Sequence, residues 1–306
     1  MSAAHHHDHD HHHAHGENAG RLMWFAVALT LAFAGVEAGV GWWASSLALV
    51  ADAGHMVNDA GALIIAAAAS WVSRRPVSQR HSYGLGRAEF LAALVNSLGL
   101  LVLVTWISVS AVQRWQTPMA VQGEAVSLTA ALGLLINIGV AWLLFRGEQN
   151  LNTRAALLHV MGDLLGSVAA LIAGVVIVFT GWTPIDPLLS LVISALILVS
   201  SLRLLRQALH GIMDGVPLHL SLEEIGQEMA GVSGVTSVHD LHVWSIASDK
   251  TMLSAHLSVA DMGNWEGILA DSRKLLHDRF DIEHVTLQPE PAVQTISWVH
   301  KDREKP

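Results

Sequence analysis

The chain has 306 residues, of which 52% are hydrophobic and 14% are charged, and its formal net charge is −9. Because soluble globular proteins carry about 25% charged residues, this composition excludes an ordinary soluble protein and indicates a membrane protein. The negative charge argues against a nucleic-acid partner, and the absence of cysteine excludes disulfides, zinc–thiolate sites and a thiol nucleophile.

A histidine-rich segment opens the chain: "HHHDHDHHHAHGE", residues 5–17, holds eight of the nineteen histidines. Alternating imidazole and carboxylate groups bind zinc or copper loosely. An engineered affinity tag is the alternative, but the interspersed aspartates argue against it. We predict a disordered, cytoplasmic, metal-collecting tail over residues 1–20.

Six apolar segments follow, each long enough to cross a bilayer, which takes about 20 predominantly apolar residues. The predicted spans are residues 22–44, 47–72, 88–112, 122–145, 153–180 and 183–208. Polar stretches with proline and glycine separate several of them. We therefore predict a transmembrane domain of six helices over residues 21–208.

The distribution of arginine predicts how these spans are oriented, because cytoplasmic loops carry an excess of Lys and Arg. Only Arg114 lies in a connection on one side of the membrane. The other side receives Arg21, Arg74, Arg75, Arg80, Arg87, Arg146, Arg154, Arg203 and Arg206. We therefore predict that both termini are cytoplasmic.

The polar region after residue 208 has a different pattern. Over residues 209–290 the sequence predicts five elements. They are a helix at 221–232, strands at 235–247 and 251–260, a helix at 264–280 with Asn264 as its cap, and a last strand at 283–290. The order αββαβ, with an antiparallel hairpin, indicates a compact α+β domain. At about 80 residues it is small enough to need a partner surface. Residues 291–306 predict a disordered tail.

Two sequence pairs inside the spans carry the chemistry: "HMVND" at residues 55–59 and "HVMGD" at residues 159–163. Residues four apart share a helix face, and an ionised aspartate inside a bilayer is costly unless it is paired or bound to an ion. If the pairs face each other, they offer two imidazoles and two carboxylates, a tetrahedral set for Zn²⁺.

Protons compete for these lone pairs, because each ligand must be deprotonated to bind a metal. A site that opens alternately to the two sides of the membrane would therefore exchange a metal ion for protons. The alternative is that each His–Asp pair only bonds neighbouring helices together.

Other polar residues in the spans have ordinary explanations beside functional ones. Glu37 could relay protons or shape the entrance, or it could be a protonated or hydrogen-bonded packing residue. Asp52, one turn before His55, could support the ligands. Asp186 beside Pro187 predicts a helix cap. Interhelical hydrogen bonds are the expected role of Asn58, Asn96 and Asn137. Close helix approach is the expected role of Gly54, Gly162 and Gly166.

These motifs resemble a known family. "SLALVADAGHMVNDAGAL" and "RAALLHVMGDLLGSVAALIAG" resemble spans two and five of the cation diffusion facilitator family, in its zinc-transporting branch, and "RHSYGLGRAEFLAALVN" resembles its loop and third span. The resemblance covers nearly the whole chain, including the αββαβ domain. It implies a homodimeric zinc/proton antiporter in a bacterial inner membrane. The implied transport site consists of His55, Asp59, His159 and Asp163.

In that family, a histidine rather than an aspartate at the first ligand position, here His55, accompanies a preference for zinc over cadmium. The resemblance also implies a cytoplasmic metal site, with ligands from the start of the first strand, the second strand and the end of the third. His239 and His256 match the first two positions. The third falls at Gln288 and Glu290, and Gln288 is a poor zinc ligand.

Further candidate ligands remain near these positions. His284 and Asp240 are candidates for the cytoplasmic site, and His81 is a candidate for a site in the loop after the second span. His242 lies three residues after His239 on the same predicted strand. The two side chains therefore point to opposite faces unless the strand bulges between them.

The function that follows is zinc efflux by proton antiport, with Zn²⁺ as the transported substrate and as a candidate regulatory ligand. The alternatives are the same mechanism for Cd²⁺, Co²⁺ or Fe²⁺, and a membrane metal sensor that does not transport. A membrane zinc protease would need H-E-x-x-H, which the sequence lacks. We therefore expect no enzymatic activity.

Overall fold

The computed structural model describes the backbone of residues 13–146 and 151–292, and the side chains of residues 28–142, 145 and 160–292 within those ranges. Most of the predicted histidine-rich tail, residues 1–12, lies outside the described residues, as do residues 293–306 of the predicted C-terminal tail. The first helix already begins at His13, and the last strand ends at Pro291.

Six long helices precede the small domain, as the apolar segments predict. They are α1 His13–Trp43, α2 Leu47–Ser73, α3 Ala88–Gln116, α4 Gly123–Arg146, α5 Leu151–Thr180 and α6 Ile185–Ile212. Five of them, α2 to α6, are long and apolar enough over their described residues to cross a membrane. The predicted first span, residues 22–44, lies in α1 and stays a prediction.

The chain divides into two compact units. One comprises residues 1–67 and 93–205, and the other comprises residues 68–92 and 206–306. In the first unit, small residues let the helices pack closely. One of its buried clusters consists of Ala44, Ala48, Leu49, Val126, Ala130 and Ala170.

Polar side chains connect the helices of the first unit. Asn58 Nδ2 donates to Asn96 Oδ1 at 2.7 Å and joins α2 to α3, as predicted. Asp186 does not cap its own helix, so that prediction is wrong. Its carboxylate instead accepts from the backbone N–H of Leu47 at 2.7 Å. Ser46, the residue before α2, donates its hydroxyl to the same carboxylate. The start of α2 offers unpaired N–H groups, while Asp186 lies one residue inside α6.

The second unit contains a three-stranded sheet with two helices on one face. The elements are α7 Leu222–Ala230, β1 Val235–Ala247, β2 Lys250–Val259, α8 Trp265–Phe280 and β3 His284–Pro291. Strands β1 and β2 are antiparallel, as predicted, whereas β3 runs parallel to β2 at the sheet edge. The helices and the inner sheet face share a core that includes Ile225, Met229, Leu253, Leu257, Ile268 and Leu276.

The ends of the two short helices differ in their caps. Ser221 caps α7 by accepting from the N–H of Glu224, the Ser-x-x-Glu arrangement of a capping box. Asn264 is the N-cap residue of α8, as predicted, but its side chain makes no capping hydrogen bond. A short 3-10 helix, Met262–Asn264, comes before α8 and is capped by Asp261.

A bulge interrupts β1 at the histidines. His239 lies opposite His256, but His242 lies opposite Ser254, so two β1 residues face one β2 residue between these pairs. Asp240, within the bulge, has a positive φ of 51°, a conformation that aspartate tolerates better than most residues. The bulge redirects the side chains between His239 and His242.

Candidate metal centre

Three of the four predicted transport ligands meet inside the helical unit. His55 Nε2 lies 3.4 Å from Asp59 Oδ2 on α2 and 3.9 Å from Asp163 Oδ1 on α5. One ligand atom from each residue lies within 4.8 Å of the others. The fourth predicted ligand, His159, is on α5 four residues before Asp163, and its side chain lies outside the described residues.

The spacing of these atoms fits a small dication. Zinc with ligands at about 2.0–2.2 Å places its tetrahedral ligand atoms roughly 3.3–3.6 Å apart. The His55–Asp59 distance of 3.4 Å falls in that range, and the His55–Asp163 distance of 3.9 Å is slightly longer. The side chains of His55, Asp59 and Asp163 are 19%, 15% and 5% exposed. A metal ion would therefore bind in a largely dehydrated site, where its charge offsets the cost of the buried carboxylates.

Asp52 lies on α2 one turn before His55 and belongs to a chain of hydrogen bonds between helices. It is 1% exposed, and its Oδ2 accepts from Ser167 Oγ of α5 at 3.2 Å. Ser167 in turn accepts from Asn137 Nδ2 of α4 at 3.2 Å. The chain of hydrogen bonds thus joins three helices beside the ligands, and it confirms the interhelical role predicted for Asn137.

Glycines allow two of the close approaches at this site. A Cβ atom at Gly166 would lie 2.2 Å from Asp52 Oδ1, and one at Gly54 would lie 2.8 Å from Leu103 Cδ1. A Cβ atom at Gly162 would meet no described atom within 4 Å. The predicted close packing therefore holds at Gly54 and Gly166, whereas Gly162 shows no such contact with the described residues.

A second cluster lies on the sheet of the other unit. Glu290 Oε2 is 3.1 Å from His239 Nε2, and Glu290 Oε1 is 2.9 Å from His256 Nδ1. The two imidazole rings meet edge to face with centroids 5.5 Å apart. Two imidazoles and one carboxylate are a suitable donor set for Zn²⁺, with a further position left for water.

Asp240 flanks this second cluster. Its carboxylate pairs with His242 Nε2 at 3.0 Å and lies 3.7 Å from His256 Nε2. The hydrogen bond with His242 holds the pKa of the Asp240 carboxyl below its usual range. Asp240 is therefore negatively charged at neutral pH, which favours a cation beside it. From the sequence, this arrangement depends on a bulge between His239 and His242, which strand alternation alone does not predict.

Two other predicted ligands lie apart from the cluster. His284 pairs with Met252, four residues along β2 from His256, a separation of roughly 13 Å along a strand. His81 is exposed in a turn, where its backbone pairs with Ser78. Neither joins a group of three candidate ligands among the residues that the structure describes.

Comparisons with known proteins cover both units. Residues 23–213 match the cation efflux transmembrane domain, and residues 217–292 match the cytoplasmic domain of cation efflux proteins. "Zinc transporter ZitB" of Escherichia coli (strain K12) is 42% identical over 277 residues, which cover 90% of this chain and 88% of that protein.

Two further known proteins are similar to this chain. The "Cadmium, cobalt and zinc/H(+)-K(+) antiporter" of Bacillus subtilis (strain 168) is 36% identical over 263 residues, which cover 83% of this chain and 84% of that protein. The solved "Metal-bound C-terminal domain of the CzcD transporter from Cuprividus metallidurans" is 36% identical with a TM-score of 0.22, covering 23% of this chain and 99% of that one.

Proposed function

Because the chain belongs to the cation efflux family, as its two family matches and its 42% identity to a relative show, we propose that it exports Zn²⁺ from the cytoplasm in exchange for protons. The observation that supports this proposal most is the meeting of His55, Asp59 and Asp163 from two helices. These groups are of the type that binds a buried dication, and they lie close to the spacing that such an ion requires.

We assign His159 as the fourth ligand, because its spacing from Asp163 repeats that of His55 from Asp59. With two neutral imidazoles and two carboxylates, a bound dication leaves the site without net charge. Without the ion, the carboxylates bear an uncompensated charge in the membrane, and proton binding lowers that cost. Metal and proton therefore bind alternately, and a site that opens to each side in turn exchanges them.

The choice of metal rests on the ligand set and on the relatives. Imidazole and carboxylate together suit zinc but also other first-row metals. The E. coli relative is named a zinc transporter, whereas the name of the B. subtilis relative also includes cadmium and cobalt. Zinc is our first assignment, and cobalt or cadmium transport is the second candidate. Competition by Co²⁺ and Cd²⁺ against zinc uptake separates the two.

The proposed architecture is a homodimer with six spans per protomer in a bacterial inner membrane. Residues 21–208 would form the transport domain, and residues 209–290 the cytoplasmic domain that pairs the protomers. The concentration of arginine in alternate connections supports cytoplasmic termini.

We also propose a cytoplasmic zinc site formed by His239, His256 and Glu290, with Asp240 beside it. The three ligands come from β1, β2 and β3. A bound ion would therefore connect all three strands and could stabilise the domain or its dimer. His284 and His81 are not assigned to it.

The test of the transport proposal is zinc uptake by proteoliposomes with and without an imposed pH gradient. Zinc movement that accelerates when protons flow in the opposite direction supports proton antiport. Zinc movement that ignores the pH gradient would leave a uniporter, and no zinc movement would contradict transport altogether.

A further inference from the structure

We propose that Glu37 of α1 is a proton-binding residue of the transport cycle, separate from the metal ligands. It would hold a proton while the metal site is empty and release it when a dication binds. This inference rests on the metal/proton exchange proposed above and adds a site to it.

The Glu37 carboxyl group lies in an apolar and closely packed position. The residue is 0% exposed, and neither carboxyl oxygen has a hydrogen-bond partner among the described residues. Its Oε1 lies against α4, where a Cβ atom at Gly133 would be only 2.9 Å away. The ring of Phe33, one turn earlier on α1, contacts the same glycine. Of the two packing roles predicted for Glu37, the hydrogen-bonded one finds no partner among the described residues, and the protonated one is compatible with this environment.

An ionised carboxylate is costly in such a place, because burial without pairing or hydrogen bonds removes its hydration. The sequence contains no Lys or Arg between residues 22 and 73, between 115 and 145, or between 155 and 202. The helix segments around Glu37 therefore supply no fixed positive charge. A bound proton is the simplest way for this side chain to be neutral.

Among the described residues, the ionisable groups that interact electrostatically with Glu37 are Asp52 on α2 and the metal ligand Asp163 on α5. His55 and Asp59 complete the metal cluster on α2. On α4, the residue that lies against Glu37 is Gly133. The only acid of that helix, Glu124, lies nine residues earlier, about 14 Å along the helix.

This arrangement makes metal binding and proton binding antagonistic. When the metal site is empty, negative charge at Asp163 favours the protonated form of Glu37. When a dication binds at Asp163, that negative charge is offset, and the proton on Glu37 is held less strongly. The sign is the one that antiport requires: the metal ion enters as the proton leaves.

Glu37 also lies at one end of the metal site. It is six residues from the end of α1 at Trp43, and Asp52 is five residues from the start of α2 at Leu47. These separations are about 9 and 8 Å along the helices, whereas Asp59 is about 18 Å from the same end of α2. Glu37 and Asp52 therefore lie between the metal ligands and the α1–α2 connection, on the proposed external side, from which protons would enter.

The decisive variant is Glu37→Gln, which keeps the shape of the side chain but does not release a proton. Two assays in proteoliposomes separate its roles: exchange of labelled zinc for zinc at equal pH, and net zinc uptake driven by a pH gradient. We expect exchange to stay within about twofold of the unaltered protein, and pH-driven uptake to fall at least about tenfold. Glu124→Gln, the same change at an exposed acid of α4, should alter neither.

Retained pH-driven uptake in Glu37→Gln would overturn the proposal, and so would equal loss of exchange and uptake, which indicates a structural role. Glu37→Asp, which restores an ionisable group, should recover part of the pH-driven uptake. A second measurement is proton release on zinc binding, obtained by calorimetry in buffers of different ionisation enthalpy. Glu37→Gln should release fewer protons per zinc ion than the unaltered protein, and equal release would contradict the proposal.

The two assays also distinguish a wrong assignment of Glu37 from a failure of the proposed function. If the unaltered protein neither exchanges zinc nor responds to a pH gradient, zinc/proton antiport itself is wrong. If the unaltered protein does both and Glu37→Gln behaves identically, only the assignment of Glu37 is wrong.

Discussion

Asp186, in the first turn of α6, accepts a hydrogen bond from the backbone N–H of Leu47, the first residue of α2, at 2.7 Å. The same carboxylate accepts from the N–H of Ala48 at 3.3 Å and from the hydroxyl of Ser46. A carboxylate at a helix N-terminus pairs its free N–H groups and is favoured by the helix dipole. A side chain of α6 thus fixes the start of the helix that carries His55.

Replacing Asp186 with alanine should therefore destabilise the helical unit. Three buried hydrogen bonds to a charged acceptor are lost, and we expect the free energy of unfolding to fall by about 2 kcal/mol or more. Thermal unfolding of the protein in detergent measures this loss. Glu124→Ala, which removes an exposed acid from the first turn of α4, is the control. Equal melting temperatures for the two variants would contradict the capping role.

Gly166 and Gly162 form a matched pair on α5. In Gly166→Ala the new Cβ atom would lie 2.2 Å from Asp52 Oδ1, so α2 or α5 must shift, whereas in Gly162→Ala it meets no described atom within 4 Å. Overpacking of this kind costs about 1–3 kcal/mol, and the shift separates ligands on the two helices. We expect weaker zinc binding in Gly166→Ala and near-normal binding in Gly162→Ala. If calorimetry finds the same zinc affinity in both, the contact between Asp52 and Gly166 does not position the ligands.

The ligands assigned to the cytoplasmic cluster lead us to expect different zinc contents in two histidine variants. His256→Ala removes a ligand that contacts Glu290, whereas His284→Ala removes a histidine at the opposite end of β3. Zinc per chain should fall by one ion in the first variant and stay unchanged in the second. Equilibrium dialysis against a chelator that removes loosely held ions gives the content. Equal zinc loss in both variants, or in neither, would contradict the assigned ligands.

Glu89 connects three parts of the second unit. Its carboxylate accepts from the hydroxyl and the N–H of Ser248, in the turn between β1 and β2, at 2.6 and 3.1 Å, and from the hydroxyl of Ser73 at 3.0 Å. Ser248→Ala removes one of these bonds, worth about 1 kcal/mol, so hydrogen exchange in the turn should become roughly fivefold faster. Asp249→Asn, in the same turn, is the control. Unchanged exchange in Ser248→Ala would show that the contact does not hold the turn.

Much of the architecture follows from local patterns. The long apolar runs predict α1 to α6, and alternation predicts β1 over the range that the structure shows, Val235–Ala247. The His–Asp spacing predicts ligands on one helix face, and His55 and Asp59 lie together accordingly. These features depend on residues close in sequence, where helix and strand periods fix the direction of each side chain.

The remaining features depend on contacts between distant residues, which local patterns do not contain. Asp186 looks like a cap for its own helix, but the N–H groups that it binds belong to residues 139 and 138 positions away. The parallel edge position of β3 and the lack of hydrogen bonds at Glu37 likewise follow from how separate elements pack. Strict alternation of side chains along β1 would not predict the cluster beside Asp240, because the bulge there changes the direction of the side chains.

We propose above that the buried His–Asp pairs bind the transported ion. The most direct measurement is zinc-driven proton movement in proteoliposomes that contain the unaltered protein, His55→Ala or Asp163→Ala, with Glu124→Gln as the control. We expect zinc and protons to move in opposite directions in the unaltered protein and the control, and we expect each single ligand variant to abolish the movement. Normal transport by both ligand variants would show that the pairs only hold helices together and do not bind the transported ion.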